Sequence, residues 1–368
     1  MLYSRHAILE IDLAAIKSNV DYAKQKMNPE TKLIAMVKAN AYGLGAVEIS
    51  KALNDQADYL AVAFAKEVAD LRKAGIDKPI MVLNTDEIAC EQVIDLNAEP
   101  SIFNFRILNL FTQKLIDKEI QQAYPIHLKL NTGMNRLGFG ESDLHELIAQ
   151  LADNPYVKVA SVFSHFAVSD EPDGEEFTTE QYNRFDEYYE RIAFNLGYRP
   201  LRHIANSAAI FRFPKFQLDM ERLGIGMYGV AATEAERENL EIAVSLKSFI
   251  SQIREIKAGE TISYGRRFKA VNDMKIAVVF RIGYADGVHR SFSQKGFVCI
   301  HGQKAPITGT ICMDMFMVDV THIDCKEGDE VVVFGENPSI YEVAEAAGTI
   351  PYEIITSVAP RVERVYLK

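Results

Sequence analysis

The chain has 368 residues, 48% of them hydrophobic, with 40 basic against 51 acidic residues and a net charge of −11. That supplies a core for two domains, or for one large barrel with an addition, and the acidic balance lacks the basic, aromatic-interleaved stretches that follow a nucleic-acid backbone. No run approaches the ~20 apolar residues of a membrane helix and residues 1–12 alternate polar with apolar, so neither a membrane nor secretion is expected and the compartment is read as cytoplasmic.

In chain order, residues 5–11 predict a strand that joins a later sheet. Eight β-rich runs then follow, at 33–37, 59–63, 79–83, 100–103, 126–130, 157–164, 201–205 and 223–228, separated by stretches of helical periodicity. Such alternation predicts parallel βα units closing into a (β/α)8 TIM barrel over residues 11–239. The first intervening helix places Ala46, Ile49, Ser50 and Leu53 on one face and Glu48, Lys51 and Asn54 on the other. Residues 170–177 are acidic and contain Pro and Gly, which reads as a solvated loop. From residue 240 the pattern becomes strands joined by turns, at 241–253, 275–280, 297–300, 315–320 and 330–334. This predicts a mainly β domain over 240–368, joined by the N-terminal strand within 1–10. Cys90, Cys299, Cys312 and Cys325 show neither CxxC pairing nor metal-ligand spacing, so reduced thiols and no metal are expected.

The active site of such a barrel lies at the C-terminal ends of its strands, with a phosphate site often formed after strands seven and eight. Lys38 closes the first apolar run and is followed by a glycine-bracketed turn, where a partly desolvated amine can bind a carbonyl group covalently. Reading on along the rim gives Tyr42, Lys129, Arg136, His165, His203, Ser207, Arg222 and Gly224. A lone histidine or arginine at a strand end is more often structural, but this many polar groups on one rim point to an anionic, carbonyl-bearing ligand. Pyridoxal 5'-phosphate has both a phosphate for the Ser- and Gly-rich segments and an aldehyde for Lys38.

The chain resembles the alanine racemase family of fold-type III pyridoxal-phosphate enzymes from about Arg5 to Tyr366. The resemblance rests on Lys38-Ala-Asn-Ala-Tyr42-Gly-Leu-Gly45, Lys129-Leu-Asn-Thr-Gly-Met-Asn-Arg136-Leu-Gly138, Ser164-His-Phe-Ala167, His203-Ile-Ala-Asn-Ser207, Arg222-Leu-Gly-Ile-Gly226, Ser263-Tyr-Gly265, Gly283-Tyr-Ala-Asp-Gly287, Cys312-Met-Asp-Met315 and Pro360-Arg-Val362. It implies that Lys38 holds the cofactor and moves the α-proton on the face giving the D-enantiomer, and that Tyr264 from a second subunit serves the L face. It implies phosphate contacts from Tyr42, Ser207, Gly224, Ile225 and Tyr352. His165 matches the histidine packed on the cofactor ring, and Arg222, steadied by His203, matches the arginine on the pyridine nitrogen. Arg136, and Met313 from the partner chain, match substrate-carboxylate contacts, while Tyr42, Met313 and Tyr284 narrow the mouth toward alanine. Lys129 matches a lysine that is often carbamylated in the family. The resemblance thus implies a homodimer with shared sites and a role in supplying D-alanine for peptidoglycan. Leu44, Asn131, Leu223 and Ser263 depart from the family pattern and remove no proton-transfer group. The alternatives are a racemase of broader specificity acting on serine, lysine or arginine, a pyridoxal-phosphate decarboxylase, which would carry a carboxylate at the ring nitrogen, and a cofactor carrier without the second base.

Overall fold

The computed structural model describes residues 7–368. The chain divides into two compact units, one made of residues 17–41 and 46–241, the other of residues 42–45, 242–368 and the described part of 1–16. Strand β1 (Ile8–Asp12) belongs to the second unit; the remainder of the predicted N-terminal strand lies outside the described residues.

The first unit is a nearly closed barrel of eight parallel strands: β2 (Lys32–Met36), β3 (Tyr59–Val62), β4 (Ile80–Val82), β5 (Glu99–Ile102), β6 (Tyr124–Lys129), β7 (Val157–Phe163), β8 (Leu201–His203) and β9 (Met220–Leu223). Hydrogen bonds link them in the order β8-β7-β6-β5-β4-β3-β2-β9. Side chains alternate between the two faces of a strand, so register decides which residues meet. Ile34 pairs with Arg222, Ser101 with His127, His127 with Ser161, Lys129 with Phe163, and Phe163 with His203. Counting by twos, one face carries Glu99, His127, Lys129, Ser161, Phe163, His203 and Arg222, with Lys38 two residues past the end of β2. The other face is aliphatic, including Leu33, Leu60, Ile80, Ile102, Ile126 and Val162, all buried. It meets amphipathic helices such as Ala65–Lys73, which buries Ala65, Val68 and Leu71. The helix Ala46–Ala52 buries Ala46, Ile49 and Ser50 as the periodicity required.

The second unit is built on an eight-stranded sheet from β1, β10 (Val244–Ile256), β13 (Met274–Phe280), β14 (Phe297–Ile300), β15 (Gln303–Thr308), β16 (Met315–Asp319), β17 (Glu330–Phe334) and β18 (Glu363–Leu367), with β11 (Thr261–Ile262) and β12 (Phe268–Lys269) as a separate pair. β1 runs antiparallel to β10 and parallel to β18.

Three local readings are corrected. The apolar run 223–228 is not the eighth barrel strand, which is Met220–Leu223; Ile225–Tyr228 is a 3-10 turn. Its apolar residues are buried for packing, and Gly226 sits so close to Phe211 and Ser207 that a Cβ there would approach both within 3.2 to 3.3 Å. The acidic segment 170–177 is a loop only to Gly174, since Glu175 and Glu176 form the first turn of the helix Glu175–Leu196, where their charge suits the positive helix end. Strands β15 and β18 were not foreseen, because charged residues and Pro306 mask their alternation.

Candidate active site

The residues after Lys38 form a left-handed turn: Ala39, Asn40 and Ala41, in the barrel unit, have φ values of 53, 53 and 51°, and Tyr42, which belongs to the second unit, has 58°. Each such non-glycine residue costs roughly 1–2 kcal/mol, so neighbouring groups must impose the turn. Glu67 accepts from the Asn40 N–H through Oε1 (3.2 Å) and from the Ala63 and Phe64 N–H groups through Oε2 (2.7 and 3.1 Å). Asn40 Oδ1 accepts from the Ala46 N–H at 2.9 Å. Sequence reasoning missed Glu67, which reads as an ordinary acid in the first turn of its helix.

Lys38 is half-buried, and its ammonium pKa is lowered by burial first and then by Arg136 and Arg222, with Glu67 opposing. Lys129 is buried and lowered to about 8, by burial and then by Arg136, Arg222 and Lys38. Arg222 is buried, and burial brings it to about 10, which leaves it cationic at neutral pH. Among the described residues, none of these four cations sits in a salt bridge. Lys129 and Arg222 are buried, Lys38 is half-buried and Arg136 is exposed at the rim; like charges gathered this way without a carboxylate in salt-bridge contact are costly, and they suit a site for a polyanionic ligand.

Arg222 Nη1 donates to His203 Nδ1 at 2.6 Å, while Nη2 donates to the Ser164 and Ile204 carbonyls at 2.8 Å and to His165 Nδ1 at 3.1 Å. Burial, then Arg222, pushes both His165 and His203 well below the ordinary imidazole range, so both rings are neutral at pH 7. A guanidinium only donates, so both histidines accept at Nδ1. Ser207 Oγ accepts from the Gly224 N–H at 2.8 Å and the Gly226 N–H at 3.3 Å, which leaves its own hydrogen to donate outward. Ile225 opens the adjoining 3-10 turn.

Arg136 lies on the loop leaving β6. That loop is tied back by Asn131 N–H to Phe139 O and Phe139 N–H to Lys129 O, both 2.9 Å. Gly138 makes the return at φ 126°, where a Cβ would approach Leu130 C and Asn131 N to 2.7 Å. Asn131 braces the same loop, its Oδ1 accepting from the Gly133 and Asn135 N–H groups and its Nδ2 donating to Asn135 Oδ1.

In the second unit, Tyr42 and Tyr352 face each other with ring centroids 6.0 Å apart, and burial together with Tyr352 raises the Tyr42 hydroxyl. Tyr264 is 70% exposed on a short turn whose carbonyl accepts from Thr310 Oγ1, while Ser263 Oγ donates to the Thr310 carbonyl. Two residues on, the Cys312 and Met313 carbonyls accept from the Tyr284 and Ala285 N–H groups (3.0 and 3.2 Å). Gly283 is packed so closely on those carbonyls that no Cβ fits. The segment 310–313 therefore joins the supports of Tyr264, Met313 and Tyr284. Buried Asp286 accepts from the Gly283 N–H and pairs bidentately with Arg361, which also reaches Asp314. Asp286 and Arg361 lay within motifs but had no role assigned from sequence; the structure shows that they brace this loop.

Each set is internally assembled: Lys38, Lys129, Arg136, His165, His203, Ser207, Arg222, Gly224 and Ile225 in the barrel unit, and Tyr42 with Tyr352, and Tyr264 with Met313 and Tyr284, in the other. Residues 11–232 match the alanine racemase N-terminal domain and residues 243–366 the alanine racemase C-terminal domain. The alanine racemase of Methanococcus maripaludis is 39% identical over 97% of this chain and 98% of its own length, and that of Clostridium perfringens is 39% identical over 98% and 95%. The crystal structure of alanine racemase from Bartonella henselae with covalently bound pyridoxal phosphate superposes with a TM-score of 0.90 at 31% identity, covering 98% of this chain and 99% of that one. With both family domains matched in order and full-length relatives well above 30% identity, the chain belongs to the alanine racemase family.

Proposed function

We propose that this chain interconverts L-alanine and D-alanine with pyridoxal 5'-phosphate, using one base on each face of the substrate. The observation that carries the reading is the cation set around Lys38: a lysine of lowered pKa, an arginine held by neutral histidines, and a hydroxyl beside glycine amides fit a ligand bearing an aldehyde, a pyridine nitrogen and a phosphate. When bound, the cofactor's conjugated ring accepts the electron pair left as the α-proton departs.

Lys38 holds the cofactor and moves the proton on the D face, its ammonium pKa lowered by burial and by the neighbouring Arg136 and Arg222. Arg222 donates to the pyridine nitrogen and keeps its proton, because guanidinium is far the weaker acid. An arginine at that position, in place of a carboxylate, would leave the bound ring nitrogen unprotonated and so disfavour side reactions such as transamination, which speaks against the decarboxylase alternative. Ser207, Gly224, Ile225, Tyr42 and Tyr352 hold the phosphate, and His165 packs on the ring. Arg136 orients the substrate carboxylate. Tyr264 serves the L face and, with Met313 and Tyr284, is supplied by a second copy of the chain, so the working form is a homodimer. Exposure of 70, 52 and 43% at Tyr264, Met313 and Tyr284, on loops braced by one another, supports this, since large side chains held in solvent mark contact surfaces. Lys129, lowered to about 8, reacts as the neutral amine with carbon dioxide, its nitrogen bonding the carbon as one C=O π bond opens and a proton leaving to solvent, which gives a carbamate anion beside Arg136. The barrel domain is 11–239 and the β domain 240–368. The setting is cytoplasmic, which the four free cysteines support, and the product feeds peptidoglycan.

The test is chiral analysis of L-alanine incubated in heavy water with purified protein and added pyridoxal phosphate. D-alanine carrying α-deuterium is expected. Absence of both inversion and exchange, in protein shown to hold the cofactor, removes the reading.

A further inference from the structure

The polar face of the barrel continues beyond His203, away from the mouth. His203 Nε2 lies 3.0 Å from Ser161 Oγ, Ser161 Oγ lies 2.6 Å from His127 Nδ1, and His127 Nε2 lies 2.8 Å from Glu99 Oε2. His203, Ser161 and His127 are 0 to 1% exposed, and Glu99 is the first residue of β5. Register brings them together: Ser161 is the Cα partner of His127, and Phe163, stacked 4.9 Å from the His203 imidazole and nearly parallel to it, is the partner of His203.

Donor and acceptor rules fix the links from Arg222 through His203 to Ser161, and a Ser161 hydroxyl aimed at His127 Nδ1 sets the others. Arg222 only donates, so His203 accepts at Nδ1 and, being neutral, carries its hydrogen on Nε2. Ser161 Oγ receives that hydrogen and has one of its own, for which His127 Nδ1 is the acceptor. His127 then carries hydrogen on Nε2 and donates to Glu99. The links run one way from a guanidinium to a carboxylate, and Tyr59 lies beside that carboxylate, its hydroxyl pKa raised by burial and then by Glu99. A chain with a fixed cation at its start and an acceptor-only anion at its end has a single consistent polarity, and its links reinforce one another in a dry interior.

We propose that Glu99, acting through His127, Ser161 and His203, is a positioning residue for Arg222, holding the His203 ring from its Nε2 side and hence the aim of the guanidinium at the barrel mouth. The catalytic part of this inference rests on the reading of Arg222 as the donor to the cofactor's pyridine nitrogen; the hydrogen placement does not.

Two measurements decide it. Neutron diffraction from deuterium-exchanged crystals of the holoenzyme is expected to place deuterium on Nε2 of both His203 and His127, none on either Nδ1, and the Ser161 hydroxyl pointing at His127. Deuterium on Nδ1 of either histidine overturns the proposal. In solution, Ser161→Ala is expected to lower kcat roughly 5- to 30-fold in both directions, the loss of one buried hydrogen bond expressed at the ring nitrogen, with KM for alanine within about twofold. It should also shift the absorbance of the bound cofactor. Glu99→Gln keeps an acceptor and removes the charge, and should lower kcat less. In the Ser161→Ala background it should add nothing, because the link is already cut; multiplying effects in the double variant overturn the proposal. The neutron result does not depend on turnover, so failure of the racemase reading shows as wild-type holoenzyme that does not invert alanine, and failure of this inference as misplaced hydrogens or independent effects.

Discussion

Gly138→Ala sets the strain of one residue against the loop that carries Arg136. At φ 126° an alanine is outside its allowed regions, and its Cβ would meet backbone atoms of Leu130 and Asn131 that cannot rotate away. Backbone strain of roughly 1–3 kcal/mol plus overpacking of roughly 1–3 kcal/mol comes to about 2–6 kcal/mol if the loop stays as it is. The two backbone hydrogen bonds that hold the loop, from Asn131 N–H and Phe139 N–H, contribute about 0.5–1.5 kcal/mol each. The strain is the larger quantity, so the loop should release and the stability loss should be capped at the value of those two bonds. The midpoint of unfolding then falls by only a few degrees, while Arg136 loses its place. If Arg136 orients the substrate carboxylate through a charge-assisted bond of roughly 1.5–3 kcal/mol, kcat/KM for alanine drops about 10- to 150-fold, mostly through KM. The assay is steady-state racemisation in both directions beside a thermal melt of the holoenzyme. Unchanged KM with a large loss of stability would refute the reasoning, since it would mean that the loop holds and the strain is borne by the barrel.

Lys38→Ala should abolish turnover in both directions and the absorbance of bound cofactor, read by spectrophotometry. Tyr264→Phe should suppress α-proton exchange from L-alanine more than from D-alanine, measured by deuterium wash-in; a symmetric, mild loss counts against two bases. Heterodimers of Lys38→Ala and Tyr264→Phe chains should regain activity, because one site in each pair then has both bases. The lowered pKa of Lys129 has a linkage consequence: between pH 8 and its ordinary value near ~10.5 the unfolded chain binds more protons than the folded one, so its contribution to stability rises with pH across that window. Carbamylation removes the effect, and native mass spectrometry should find a carbon dioxide adduct that Lys129→Ala lacks. Glu221 works in the opposite sense. Burial raises its carboxyl to about 8, so folding favours the protonated form and stability is lost as pH rises from about 4.5 toward 8. Glu221→Gln should therefore melt higher than wild type at pH 8.5, with the gap closing toward pH 5.

What the sequence made legible divides by range. Barrel strands such as β3 and β7 announced themselves because buried parallel strands are short apolar runs, and their ends carried the polar residues of a rim. Lys38 stood out because a charge at the end of such a run is costly unless used. The run 223–228 misled because burial and pairing leave the same composition, and only the Gly224 and Gly226 spacing separates a packed turn from a strand. Glu67, Asp286 and Arg361 were unreadable for another reason. Each acts on backbone N–H groups or on a partner far along the chain, and an acid that braces a turn has the same letter as one that faces water. Ser161 is the sharpest case. Inside 157–163 it looks like a polar interruption of a strand, and nothing local distinguishes it from a weak β former. Register alone pairs it with His127, and the neighbouring strand brings His203, so its meaning is a property of the closed sheet rather than of any window along the chain. The gathering of cations and histidines at the rim could be read from residue types, whereas the hydrogen bonds behind it depend on contacts across strands that no single segment specifies.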